Sequence, residues 1–224
     1  MPVQIEGKYA GDFLKWEDNQ NYSREDIVIL AGSGSARVLL AGMVLGRATK
    51  GAAVGAAVAG NTGNGTISAA PTVGAATRPG VYRAICTEPA TNVGVFVLED
   101  PIGILLGTVV VGVASTLAGL GFTIADGATD FVSGDSFTIT VAAGNMKAVQ
   151  LTLAATNGAL DAFGILYGDV TAADGTDALG IAVVRQAIIE TSGLIWPAGI
   201  SDPQKATALA QLAASGAIVA RVGV

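Results

Sequence analysis

The sequence predicts a mainly β protein: a small β-rich core with one short C-terminal helix, interrupted by an inserted β-sandwich or barrel-like domain. Three observations carry this reading. Short β-branched runs recur along the 224 residues, with Gly, Asp and Asn between them. The charge composition changes twice: residues 1–50 hold six basic and six acidic side chains, residues 51–146 only Arg78 and Arg83 against six acids, and residues 147–224 four basic against six acidic. One stretch alone, near residue 202, carries both a helix start and a helix stop.

Residues 1–25 mix charge with Tyr9, Phe13 and Trp16 and show no period. They read as an arm, because a segment with apolar anchors and no core pattern often orders against a partner. The strand-like runs 27–30 (Ile-Val-Ile-Leu) and 38–40 (Val-Leu-Leu) then open a core over 26–50 that resumes at 147–224. Residues 51–60 contain only Gly, Ala and Val, and Asn61-Thr-Gly-Asn-Gly-Thr66 follows. Gly and Asn accept positive φ cheaply, so this reads as a Gly/Ala-rich entry linker to an inserted domain over 51–146.

Inside that domain residues 81–87 alternate, with Val81, Arg83, Ile85 and Thr87 on one face and Tyr82, Ala84 and Cys86 on the other. Residues 93–98 form the next strand, 99–103 a turn, and 104–113 one or two further strands. Residues 121–125 and 134–141 complete the set, the latter with Phe137, Ile139 and Val141 facing one way. In the resumed core, 149–153, 162–167 and 179–184 are strand-like. Asp202 reads as an N-cap with Pro203 at N1, and 204–215 supplies Ala, Leu and Gln before Gly216 stops the helix. Its expected apolar stripe is Ala206, Leu209, Ala210, Leu212 and Ala213. Residues 217–222 form a final strand.

Composition also removes functions. No histidine is present, which takes away the commonest general base, the Ser-His and Cys-His nucleophile pairs and the commonest zinc ligand. The single Cys86 excludes an intrachain disulfide and a thiolate cage, and its strand face marks it as a buried thiol. Net charge −6 speaks against nucleic-acid binding. Residues 102–125 are an uncharged 24-residue stretch, long enough to span a membrane. It contains five glycines, is flanked by Glu99, Asp100 and Asp126, and breaks into short β-branched runs, so it reads as buried strands. The N-terminus has no basic-then-apolar signal pattern, and the chain is expected to be soluble and made in the cytoplasm.

No motif specifies chemistry. Gly32-Ser-Gly-Ser-Ala-Arg37 lacks a third glycine and a following helix, and reads as a hairpin loop. Residues 60–65 lack the Lys-Ser/Thr of a phosphate loop. Asp126 with Asp130, and Asp174 with Asp177, sit beside glycines but supply too few oxygens for calcium. No pair of acids is marked as buried and opposed. No catalytic residue, cofactor or metal is assigned, and no enzymatic activity is expected.

The run Leu194-Ile-Trp-Pro-Ala-Gly-Ile-Ser-Asp-Pro-Gln-Lys-Ala-Thr-Ala-Leu-Ala-Gln-Leu212 resembles the end of the lambda-type head decoration proteins of tailed bacteriophages. Ala41-Gly-Met-Val-Leu-Gly46, Asp161-Ala-Phe-Gly-Ile-Leu-Tyr167, Glu6-Gly-Lys-Tyr-Ala-Gly-Asp-Phe-Leu14 and Ser23-Arg-Glu25 are similar to segments of that family in the same order. The likeness covers 1–50 and 147–224 and departs at 51–146. It implies a β-tulip-like core and a capsid-stabilising protein on the outer surface of the virion. It further implies a homotrimer at local three-fold sites of the mature head, with the N-terminal arm adding to strands of the major capsid protein. Carried over, Val3, Ile5, Tyr9 and Phe13 are the expected capsid-binding arm residues, and Trp196 and Pro197 the expected trimer interface or base. The insert is expected to face outward, its acidity keeping virions apart. Two other readings remain: a structural subunit of a tail fibre or bacterial surface filament, and a carbohydrate-binding surface module in which the insert holds a host-surface glycan.

Overall fold

The computed structural model describes residues 7–223. The chain divides into two compact units, Met1–Ala48 with Met146–Val224, and Thr49–Asn145.

The first unit begins with a single helical turn, α1 (Ala10–Phe13), then β1 (Leu14–Glu17), a second turn α2 (Gln20–Ser23), and β2 (Arg24–Ile29), β3 (Arg37–Leu39) and β4 (Val44–Arg47). Residues 10–25 are therefore part of the folded unit and not a free arm. Phe13 is fully buried with Val44, Ile189 and Leu194. The sequence shows no period here because the turns and β1 are fixed by partners far along the chain: Leu14 pairs with Ile189 and Trp16 with Ile188.

The second unit runs through β5 (Lys50–Ala57), β6 (Thr66–Ile67), β7 (Thr72–Val73), β8 (Gly80–Ala90), β9 (Val93–Glu99), β10 (Leu105–Val110), β11 (Ser115–Leu117), β12 (Leu120–Phe122), β13 (Ile124–Ala125) and β14 (Ser136–Ala143). The expected entry linker is β5, an edge strand of the five-stranded sheet ordered β10-β9-β8-β14-β5. Its small residues serve close packing. A Cβ on Gly55 would lie 2.2 Å from the Ser68 carbonyl oxygen, so only glycine fits there. Shorter sheets β11-β12-β7 and β13-β6 complete the unit, and the uncharged stretch 102–125 is distributed over β10 to β13. No helix among the described residues is long and apolar enough to cross a membrane.

One core holds these sheets together. Tyr82, Ala84, Cys86, Phe96, Leu98, Val109, Phe137, Ile139 and Val141 from the large sheet meet Leu120, Phe122, Ile67 and Ile124 from the small ones. Phe96, Phe131 and Phe137 form its centre, with ring centroids 5.0, 5.6 and 5.7 Å apart. Each such ring removes a large apolar area from water and contributes about 1.5–3 kcal/mol by burial. The alternation read from residues 81–87 and 137–141 is the alternation observed: Tyr82, Ala84, Cys86, Phe137, Ile139 and Val141 face inward.

The chain then returns to the first unit through β15 (Ala148–Gln150), β16 (Ala162–Leu166), β17 (Val170–Ala172), β18 (Ala178–Val183), β19 (Ala187–Glu190), α3 (Asp202–Gly216) and β20 (Ile218–Arg221). A closed barrel, β15-β2-β18-β16-β4, lies here, in the unit built from the flanking segments rather than in the insert. Its strands β4 and β16 are buried on both faces. Leu45, Leu166 and Ala182 belong to one apolar cluster, while their neighbours Val44, Ile165 and Val183 belong to the cluster that includes α3 and the sheet β1-β19-β20. Burial on both faces explains why β4 and β16 read as continuous apolar runs.

The helix ends differ from expectation by one residue at each side. Ser201, not Asp202, is the N-cap, and the Gln204 side-chain oxygen accepts from the Ser201 N–H at 2.9 Å and from its Oγ–H at 3.0 Å. Gly216 is the last helical residue, and Ala217 takes the left-handed conformation at φ 53°. Gly216 is needed for approach, because a Cβ there would sit 2.0 Å from the Val184 carbonyl oxygen. Docking buries Ala208, Leu212 and Gly216, whereas Ala206, Ala210 and Ala213 of the expected stripe are exposed.

Candidate interaction surface

The acidic side chains brace loops. Asp169 accepts from the Ala41 N–H at 2.8 Å, Asp174 from Gly34 at 2.8 Å and Asp177 from Ala31 at 2.9 Å. Lys147 pairs with Asp177 and is the first cause of its lowered pKa, with the Ala31 N–H adding to it. In the insert, Asp100 accepts from Ile102 and Ile104, and Asp130 from Asn92. Asp135 is the buried case, accepting from Thr62 and Gly63 at 2.8 Å and from Val132 at 3.0 Å. Burial pushes its pKa up, and the three backbone donors outweigh that and hold it below the usual carboxylate range. Cys86 is buried, and burial, followed by the charge of Asp135, raises its pKa. No group of acids that could hold a metal ion occurs among the described residues.

What the first unit presents outward is aromatic and apolar surface. Of the expected arm residues, Val3 and Ile5 lie outside the described residues. Tyr9 is 55% exposed and stands at the start of α1, its backbone N–H donating to Asp12 at 3.2 Å. Lys8, Tyr9, Ala10 and Gly11 line an open groove of about 510 Å³ with Ala41, Tyr167 and Asp169. Phe13, expected beside them, is withdrawn into the core and has no surface to offer.

Trp196 is half-buried and packs on the same cluster as Phe13, with Pro197 half-buried next to it. The preceding residue, an isolated bridge to Met43, holds them: the Ile195 N–H donates to Gly42 at 2.8 Å, and the Val44 N–H donates to Ile195 at 3.3 Å. Gly193 permits this arrangement, since a Cβ would meet the Asp12 carbonyl oxygen at 2.3 Å. The structure thus joins Phe13 and Trp196 in one cluster and leaves Tyr9 apart on the surface.

Two further apolar surfaces were not read from the sequence. On the barrel, Val28 lies directly across from Leu179, with Ile181 two positions along the same face; all three are exposed. On the sheet β1-β19-β20, Trp16, Ile188 and Val219 form a row straight across the three strands. A charged row runs beside it: Glu190 lies opposite Arg221 and binds Lys15 at 2.9 Å. The signal for this sheet was the short β-branched run Ala187-Ile-Ile-Glu190.

The insert offers no comparable platform. All five of its aromatic residues (Tyr82, Phe96, Phe122, Phe131 and Phe137) are buried. The carbohydrate-binding reading of the insert needs exposed rings for sugars to stack on, so it loses its physical basis here. Its exposed large side chains are aliphatic, with Ile102 and Ile104 in the turn before β10 and Leu105 at the start of that strand.

The family model described as bacteriophage lambda head decoration protein D matches residues 3–217. No curated protein matches the chain. Among solved structures, the chain is similar to FlgL from Xanthomonas campestris (22% identity, TM-score 0.33, covering 46% of this chain and 33% of that one). It is also similar to the flagellar junction protein FlgL from Legionella pneumophila (20% identity, TM-score 0.34, covering 46% of this chain and 36% of that one). The likeness spans about a third of those chains and is too distant to bear on function.

Proposed function

The chain belongs to the bacteriophage lambda head decoration protein family, and from that membership we propose that it binds the mature phage head from outside and stabilises the shell. Membership makes it a structural protein of the virion. The finer reading is ours. Three copies assemble as a trimer on a local three-fold site. The first unit makes the attachment, and the insert faces solvent.

The observation that carries this reading is the family match over 3–217, which includes both flanking segments of the first unit. The exposed aromatics Tyr9, Trp16 and Tyr22, all within the first 25 residues, support it. Aromatic side chains supply large contact area at low entropic cost and are enriched at protein interfaces. The arm is shorter than the sequence implied. It comprises residues up to Tyr9, with Val3, Ile5 and Tyr9 meeting strands of the major capsid protein, because Phe13 belongs to the fold. Trp196 and Pro197 stand at the base or trimer interface. Three arms per trimer would let weak individual contacts act at high effective concentration.

The test is addition of the purified chain to expanded, undecorated heads. Stoichiometric binding and a raised disruption temperature are expected. Removal of residues 2–8 should abolish binding and leave the fold intact, since Gly7 and Lys8, the described residues among them, are exposed. Full binding by the shortened chain rejects the arm's role.

A further inference from the structure

The sheet β1-β19-β20 ends in two strands that lack an outer partner among the described residues. A free strand edge is a row of unpaired backbone donors and acceptors and a template for another strand. The two edges here are treated differently. The register of β1 shifts between Leu14 and Trp16, and Lys15 at the shift reaches Glu190. A bulge and an edge lysine are both devices that discourage pairing. Strand β20 has neither. Ile218–Arg221 pairs with β19 in unbroken register and makes no backbone hydrogen bond to a further strand among the described residues.

The outer face at this open edge is patterned. Val219 is 49% exposed and ends the apolar row from Trp16 through Ile188. Arg221 ends the charged row beside it, is exposed, and makes no ion pair among the described residues. The next position of each row would fall on an added strand. We propose that β20 accepts a fourth strand from the phage coat protein. That strand is an extended segment with an apolar side chain against Val219 and, two residues away, a carboxylate against Arg221. The proposal rests on the head-decoration reading and adds a second strand-pairing site to it, at the opposite end of the chain from the arm.

Segments of this chain fit the pattern less well. In residues 1–6 the acid Glu6 falls on the opposite face from Val3 and Ile5. Residues 217–222 of a second copy contain no carboxylate. Strand β1 of a second copy has Trp16 and Asp18 two apart, but its bulge and Lys15 oppose pairing.

Hydrogen exchange read by mass spectrometry on residues 217–222 tests this, with the wild-type chain free and bound to undecorated heads. The amides of this segment that bond neither to β19 nor to α3 should exchange quickly in the free protein and at least about tenfold more slowly on heads. Arg221→Glu should weaken head binding about tenfold while its melting curve shows the chain still folded. Fast exchange on fully occupied heads, or full-strength binding by Arg221→Glu, overturns the proposal. Protection of those outward amides already present in the free oligomer also overturns it and assigns the edge to a contact between copies of this chain. Failure of the wild type to bind heads at all removes the head-decoration reading, and this proposal with it.

Discussion

The two units spend their aromatic residues in opposite ways. The insert buries all five, three of them in one interlocking cluster. The unit built from the flanking segments leaves Tyr9, Trp16 and Tyr22 at 55, 52 and 49% exposure. Large rings on a surface are costly unless something covers them, so contact chemistry is concentrated in the flanking unit. The insert satisfies itself: its rings pack on each other, and its buried Asp135 is held by backbone donors.

The largest test of this contrast is core truncation in each unit. Phe137→Ala should cost the insert about 3–5 kcal/mol and leave the unfolding of the flanking unit in place. Phe13→Ala should do the reverse, by a similar amount, because the residue is core and not arm. Denaturant unfolding followed by unit-specific proteolysis reads both. Parallel loss in both units from either variant breaks the division.

Acid is the next lever. Asp135 has a folded-state pKa below its unfolded value, so its contribution is complete above about pH 4 and fades as pH falls through the folded value. The insert should therefore loosen on acidification in that range. Asp135→Ala should remove the dependence and cost about 2–4 kcal/mol by stranding the Thr62, Gly63 and Val132 donors. A pH-titrated melt in which the variant and wild type run parallel would refute this role. The smallest effect lies at the helix cap: Gln204→Ala should lower the stability of the flanking unit by about 0.5–1 kcal/mol, measured by its melting midpoint.

How far the sequence revealed this depended on whether an element is set locally. Strands β8, β9 and β14 were legible because their inward and outward residues alternate, and α3 because Pro203 and a run of Ala, Leu and Gln announce it. Strand β5 was not, since Gly and Ala carry no alternation and its place depends on pairing with β14. Residues 10–25 misled for a related reason: Phe13 and β1 are ordered by β19, about 175 positions along the chain. The buried line of α3 was chosen by its docking onto β16 and β20, which favours the glycine at 216 over the alanines at 206, 210 and 213. Of the surface, Tyr9 is exposed. The Trp16–Ile188–Val219 row could not be seen until three distant segments were joined.

Excision of the insert tests the central claim, that the flanking unit alone attaches to the head. Ala48 and Met146 are hydrogen-bonded neighbours at 2.9 Å, so a short Gly-Ser turn can replace residues 49–145. The account predicts that the shortened chain occupies undecorated heads to the same stoichiometry as the full chain and raises their disruption temperature equally. A shortened chain that folds, keeps its β20 and α3 intact, and leaves the heads bare would contradict it.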